Sequence, residues 1–222
     1  MGREARMARM VTTWRQAFFD ATGRKPSGWL GRLMYRRPVG HYGFFRVAID
    51  RLRLGPEDVF LEVGCGGGVV LEMVSPIVQR AWGIDHSPDM MELARERNRS
   101  GLSEGRVGII RGDVSALPWA EGTFSCAAGV EVLYFIADPQ RVVEELHRVL
   151  KPNGRLVLVT GAEPQSRLSR WVFSPLLQHM RFHSNDGLAR VLEQVGFEAV
   201  VVERVQKSEH TRYAHQLVCA VR

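Results

Sequence analysis

The stretch LEVGCGGGVVL (61–71) places four glycines within five positions, directly behind a short apolar run. Val59–Val63 reads as a buried strand ending at those glycines, because a continuous apolar run of that length bounded by glycine fits a strand covered on both faces. A glycine loop at the end of a strand serves several ligands, so the surrounding residues must decide which one. A phosphate-cradling loop needs GxxxxGK followed by Ser or Thr, and no such residues follow here. A dinucleotide fingerprint needs G-x-G-x-x-G; Gly64 and Gly66 fit, but Val69 stands at the third position.

Two further runs continue the alternation. AWGID (81–85) is a second strand, and Ser87-Pro88-Asp89 then supplies an N-cap, a first-turn proline and an acidic first turn for a helix carrying Met90, Met91, Leu93 and Ala94. Residues 107–110 and FSCAAGV (124–130) read as strands three and four. Asp138-Pro139 caps a helix whose Val142, Val143, Leu146, Val149 and Leu150 recur at helical spacing. Lys151-Pro152-Asn153-Gly154 is expected to stop it and turn the chain into RLVLVT (155–160). Ser184 begins another helix, with Leu188, Val191, Leu192 and Val195 on one face and Gly196 past its end. Residues 197–205 and 213–221 are the last strands, joined without a helix, so one of them runs antiparallel. The expected architecture is α/β: a Rossmann-like, doubly wound, mostly parallel seven-stranded sheet with one antiparallel strand near the C-terminus.

Residues 1–55 are expected to form a basic helical lid, and 56–222 the ligand-binding domain, with 161–183 as an insert on the acceptor side. Met7, Met10, Val11, Trp14, Ala17 and Phe18 make an apolar stripe at helical spacing, and residues 30–35 and 41–54 suggest two further helices. Residues 1–55 hold 12 Lys+Arg against 3 Asp+Glu, a net of +9 within a whole-chain charge of +6, so the remainder carries −3. That asymmetry suits a solvated helix face or contact with something anionic, a membrane surface included.

Apolar content is 45% and charged content 24%, ordinary for a globular chain. The first ten residues lack the apolar core of a signal peptide, and Arg6 breaks the myristoylation pattern. The three cysteines, Cys65, Cys126 and Cys219, have neither metal nor disulfide spacing. A cytoplasmic protein without a metal is the expectation.

The acidic residues narrow the ligand. Glu62 sits two before the first glycine, where it would repel a pyrophosphate and suit an ammonium or other positive charge. Asp85 closes the second strand 21 residues after Gly64, the place of a ribose-binding acid. Asp113, after the third strand, can accept from an exocyclic amine such as that of adenine, beside the backbone donor of Val114. Adenine, ribose and an amino-acid tail without pyrophosphate describe S-adenosylmethionine.

At this point the sequence resembles the class I S-adenosylmethionine-dependent methyltransferases of the small-molecule type. The resemblance rests on LEVGCGGG (61–68), the acid of GID (83–85), GDVSALPWAEGTFS (112–125), GVEVLYFIADP (129–139) and LKPNGRLVLV (150–159), in this order. It implies that Glu62, Gly64, Cys65 and Gly66 line the methionine end of the cofactor, with Gly68 allowing close approach. It further implies Asp85 at the ribose, His86 beside the adenine, Asp113 and Val114 at the adenine ring, and Gly129 and Val130 facing the methionine part. Tyr42 is a further expected cofactor contact.

Related enzymes carry an acid-His pair after strand four, where this chain has Tyr134-Phe135. The candidate catalytic groups are therefore Tyr134, His41 and His183, with His179 beside the last. The expected acceptor is a small or lipid-like molecule methylated by in-line displacement. Alternatives are a phospholipid headgroup at a membrane surface and a non-catalytic cofactor-binding sensor. A nucleic-acid acceptor is disfavoured, because no Asn-Pro-Pro-Tyr-type motif follows strand four and no RNA-binding appendage is visible.

Overall fold

The structure, a computed structural model, describes residues 36, 41–136, 138–161, 185–206 and 214–222. In chain order the elements are α1 (Tyr42–Leu52), β1 (Val59–Val63), α2 (Val69–Val74), β2 (Arg80–Asp85), α3 (Pro88–Arg97), α4 (Arg99–Ser103), β3 (Val107–Arg111), β4 (Phe124–Val130), a 3₁₀ turn (Leu133–Phe135), α5 (Pro139–Val149), β5 (Leu150–Gly161), α6 (Asn185–Val195), β6 (Glu198–Gln206) and β7 (Ala214–Val221). The stripes at 7–18 and 30–35 and the insert at 162–183 lie outside the described residues.

The strands form one seven-stranded sheet in the order β3-β2-β1-β4-β5-β7-β6. β1 pairs in parallel with β2 and β4, β2 with β3, and β4 with β5. β7 slips between β5 and β6 and is antiparallel to both. This is the expected sheet, and the antiparallel member is β7.

Successive strand residues point to opposite faces. Phe60, Cys126, Ala128, Val157 and Val159 pack on one face with Phe44, Ala48 and Leu52 of α1 and with Leu71, Val74, Met91 and Ala94 of α2 and α3. Leu61, Val63, Ala127, Leu156 and Leu158 fill the other with Val142 and Leu146 of α5 and Leu188 and Leu192 of α6. Both faces are therefore covered, as parallel strands require. The caps read from the sequence are present. The side chain of Ser87 accepts from the Met90 N–H, and that of Asp138 accepts from the Arg141 N–H, each with proline in the first turn.

The tetrapeptide 151–154 departs from its expected role as a turn outside the strand. β5 begins at Leu150 and absorbs all four residues, with a register irregularity between Phe124 and Cys126 on β4. Asn153 takes the left-handed turn conformation (φ 63°), yet its N–H donates to the Arg222 carbonyl at 2.7 Å, and that long-range bond keeps the segment on the sheet.

Two polar clusters fix the elements at the edge opposite the glycine loop. Asp58 accepts from the Gly55 N–H at 2.8 Å, the Ser125 hydroxyl at 2.7 Å and the Arg155 guanidinium at 2.6 Å, while Arg155 also donates to the Leu52 carbonyl, tying the end of α1 to β5. Glu145 on α5 accepts from Arg148 at 2.8 and 2.9 Å and from the Leu117 N–H at 2.7 Å.

The Arg148 hydrogen bonds hold the Glu145 carboxyl below the usual carboxylate range. A depressed folded value gives stability that is present above the unfolded value of about 4.3 and lost as pH falls through the folded one. Glu145→Gln is thus expected to cost about 1–3 kcal/mol at neutral pH. In urea unfolding followed against pH, the gap to the wild type should shrink below pH ~4.

Candidate functional site

The carboxyl ends of the parallel strands share one edge, which is where an open α/β sheet binds its ligand. The loop after β1, Asp85 at the end of β2, Asp113 after β3 and Glu131 after β4 all lie there. Gly64, Gly66 and Gly68 adopt positive φ of 68°, 47° and 71°. At Gly64 an added Cβ would stand 2.5 Å from Cγ2 of Val132. At Gly68, the N-cap of α2, it would meet the Asn98 amide at 2.6 Å, the same amide that donates to the Gly68 carbonyl. The loop is therefore clamped from both sides, which makes glycine necessary at both positions.

Asp85 joins this loop to β2. One carboxylate oxygen accepts from the Gly66 N–H and the other from the Ser87 N–H, both at 2.9 Å. Each oxygen keeps a further lone pair for a ligand hydroxyl. His86 is exposed, with Nδ1 3.5 Å from Asp85. Asp113 is exposed, and one of its oxygens accepts from the backbone N–H and hydroxyl of Ser115 at 2.9 and 2.7 Å. Those bonds hold its carboxyl below the usual range, so it is an anionic acceptor at neutral pH.

Glu62 lies beneath the loop, on the same sheet face as Phe60. It is buried, and its Oε2 has no hydrogen-bond partner among the described residues. Burial first, and the neighbouring Asp85 charge second, push its carboxyl well above the usual carboxylate range. A buried acid with one oxygen left unpartnered fits a site meant to receive a cation.

The other expected residues are placed as follows. The Cys65 side chain is buried against Gly83, with Sγ 2.9 Å from where a Cβ would be, so it packs the loop onto β2. At Gly129 the Cβ space is bounded at 3.1 Å by Leu158, Val132 and Val63 of this chain itself. Val130 is buried and Val114 half-buried. Tyr42 is half-buried, edge-on to Phe45 with centroids 6.0 Å apart. Tyr134 falls in the 3₁₀ turn, and His179 and His183 lie outside the described residues.

Sequence reasoning missed Glu131 and His215. Glu131 follows β4 with φ 61°, and its Oε1 is 2.9 Å from Nε2 of His215, near the start of β7. His41, just before α1, brings Nδ1 to 3.8 Å from the other Glu131 oxygen. Nothing in the spacing of 41, 131 and 215 predicts that meeting. A non-glycine residue at positive φ is visible only in a structure. Among the described residues, no group of three or more His, Cys, Asp or Glu could hold a metal ion, and no helix is long and apolar enough to cross a membrane.

This strand order, with a glycine loop after β1 and acids at the ends of β2 and β3, defines the class I methyltransferase architecture. Residues 61–158 match the model of the methyltransferase domain family. An uncharacterized 37.1 kDa protein in a Streptomyces fradiae transposon is 37% identical over 115 residues, 50% of this chain and 32% of that one. An O-methyltransferase of Pyrenophora dematioidea is 28% identical over 170 residues, 74% of this chain and 62% of that one. The chain thus spans less than two thirds of either relative. The geranyl diphosphate C-methyltransferase of Streptomyces coelicolor A3(2), solved with Mg2+, geranyl-S-thiolodiphosphate and S-adenosyl-L-homocysteine, superposes with a TM-score of 0.68 at 17% identity, covering 82% of this chain and 76% of that one.

Proposed function

We propose that this chain transfers a methyl group from S-adenosylmethionine to a small-molecule acceptor. The observation that carries the reading is Glu62, a buried acid without a partner at Oε2, lying under a glycine loop at the sheet edge that also holds Asp85 and Asp113. In this reading Glu62 balances the ammonium of the methionine moiety, Asp85 accepts from the ribose hydroxyls, and Asp113 with the Val114 N–H takes the adenine edge. His86 flanks the ring. When bound, the cofactor supplies an electrophilic methyl carbon, and the chain's own task is to orient the acceptor and keep water away. The half-buried Val132 supplies apolar surface along that edge.

Calorimetry with S-adenosylhomocysteine tests the reading, and one-to-one binding is expected. Because burial and the Asp85 charge favour the neutral form of Glu62, receiving an ammonium should favour its carboxylate and release protons. The binding enthalpy should then vary with the buffer's ionisation enthalpy, and Glu62→Gln should remove most of that variation. Absence of binding would overturn the assignment.

A second reading keeps the chemistry and places the acceptor on a phospholipid headgroup. It is favoured by the net of +9 in residues 1–55, which would draw the chain to anionic lipid. Sedimentation with anionic vesicles that survives deletion of residues 1–25 would count against it.

A further inference from the structure

Glu131 sits where the active edge is most constrained. Its N–H donates to the Val159 carbonyl at 2.7 Å, fixing a residue whose φ of 61° is costly for any side chain but glycine. Val132, next in the chain, presses on the glycine loop at Gly64, so Glu131 stands one residue from the methionine end of the site. Two histidines flank its carboxylate from different elements. His215 is clamped between Glu131 and the Phe44 ring, whose centroid is 3.9 Å away. Its cross-strand neighbours are Gly161 and Val205, neither of them ionisable. Nδ1 of His215 is buried with no hydrogen-bond partner among the described residues, which leaves Nε2 to meet Glu131. His41 is the open member, with its side chain 47% exposed and its backbone carbonyl held by the Phe44 and Phe45 N–H groups at 3.0 and 3.1 Å.

We propose that His41, Glu131 and His215 are the proton-accepting device of the acceptor site, and that the acceptor is a phenol- or enol-type hydroxyl. The proposal rests on the methyltransferase reading above. His41 is the catalytic residue, since its side chain is the most exposed of the three. Glu131 is a positioning residue that orients the imidazole and balances its charge once protonated. His215 holds Glu131 and is a positioning residue one step further back. Imidazole removes a proton near neutral pH, which suits a hydroxyl of moderate acidity. Tyr42 and Phe45 on α1, both half-buried, provide an aromatic flank for a planar acceptor. In the transfer, the acceptor oxygen bonds to the methyl carbon as the carbon–sulfur bond breaks. Sulfur keeps that electron pair, and the hydroxyl proton passes to His41.

The test uses the full chain with catechol and 1,4-naphthohydroquinone as hydroxyl probes, and thiophenol as an acceptor already ionised at neutral pH. The wild type is expected to methylate at least one hydroxyl probe. His41→Gln and Glu131→Gln should lower kcat on it by about 100-fold or more, the range for loss of a general base. KM should change less than threefold, and transfer to thiophenol should fall less than threefold. His215→Gln should show the same pattern in weaker form. Carbethoxylation of His41 by diethyl pyrocarbonate, read by mass spectrometry, should slow several-fold when S-adenosylhomocysteine and the hydroxyl probe are both present. The proposal is overturned if a protein that binds S-adenosylhomocysteine methylates neither hydroxyl probe, if thiophenol transfer falls in parallel with hydroxyl transfer, or if His41 stays unprotected. Failure to bind S-adenosylhomocysteine at all would instead remove the methyltransferase reading beneath it.

Discussion

Phe124→Ala should lower the unfolding free energy by about 3–5 kcal/mol, the range for removing a buried aromatic ring. Phe124 opens β4 and has no exposed surface. Its ring meets Trp119 edge-on, with centroids 5.1 Å apart at 81°, and Trp119 in turn meets Trp82 at 5.8 Å. Truncation leaves a hole bordered by sheet on one side and the 112–123 loop on the other. Backbone in a seven-stranded sheet cannot close in to fill it, so the cavity cost adds to the transfer cost. Urea unfolding should show a lower midpoint with an unchanged slope. Phe124→Leu keeps most of the volume and should recover more than half of the loss. A penalty under ~1.5 kcal/mol for the alanine variant, the size of a tolerated volume-conserving swap, would mean that Phe124 is not the keystone its burial indicates.

Asp85→Ala should weaken S-adenosylhomocysteine binding by about 1–3 kcal/mol, roughly 5- to 150-fold. Two effects act in the same direction. The ribose loses its acceptor, and the loop loses the strut that holds Gly66 and Ser87 to one carboxylate. The first effect appears only with ligand, whereas the second also loosens the empty protein. Asp85→Asn separates them, because an amide oxygen can still accept one of the two backbone bonds while offering fewer acceptors to the ribose. It should fall between wild type and alanine in affinity and lie near wild type in stability. Calorimetry showing full affinity in Asp85→Ala would refute the ribose assignment.

Much of this architecture is legible in the chain because its causes are local. Strands buried on both faces appear as apolar runs, and Ser87 and Asp138 announce helices because a capping side chain needs only its own next turn. The order of Glu62, the glycines, Asp85 and Asp113 is also readable. Each lies at the end of a strand or just beyond it, and parallel strands bring those ends to one edge. Where local signals misled, a distant partner had intervened. Residues 151–154 have the composition of a turn, and Asn153 does adopt a turn conformation. The Arg222 carbonyl nevertheless draws them onto the sheet.

The sequence by itself determined the strand and helix series, the presence of an antiparallel final pair, and the placing of Glu62, Asp85 and Asp113, the proposed cofactor cradle, at the strand ends. Only the tertiary structure decided that β7 inserts between β5 and β6, which carries His215 to Glu131 across 84 positions of chain. It alone showed that Glu62 lacks a partner for Oε2 and that His41 reaches the same carboxylate as His215. The reason is physical. Helix periodicity and capping act within a few residues, but strand pairing and the desolvation of a carboxyl depend on which distant residues close over it.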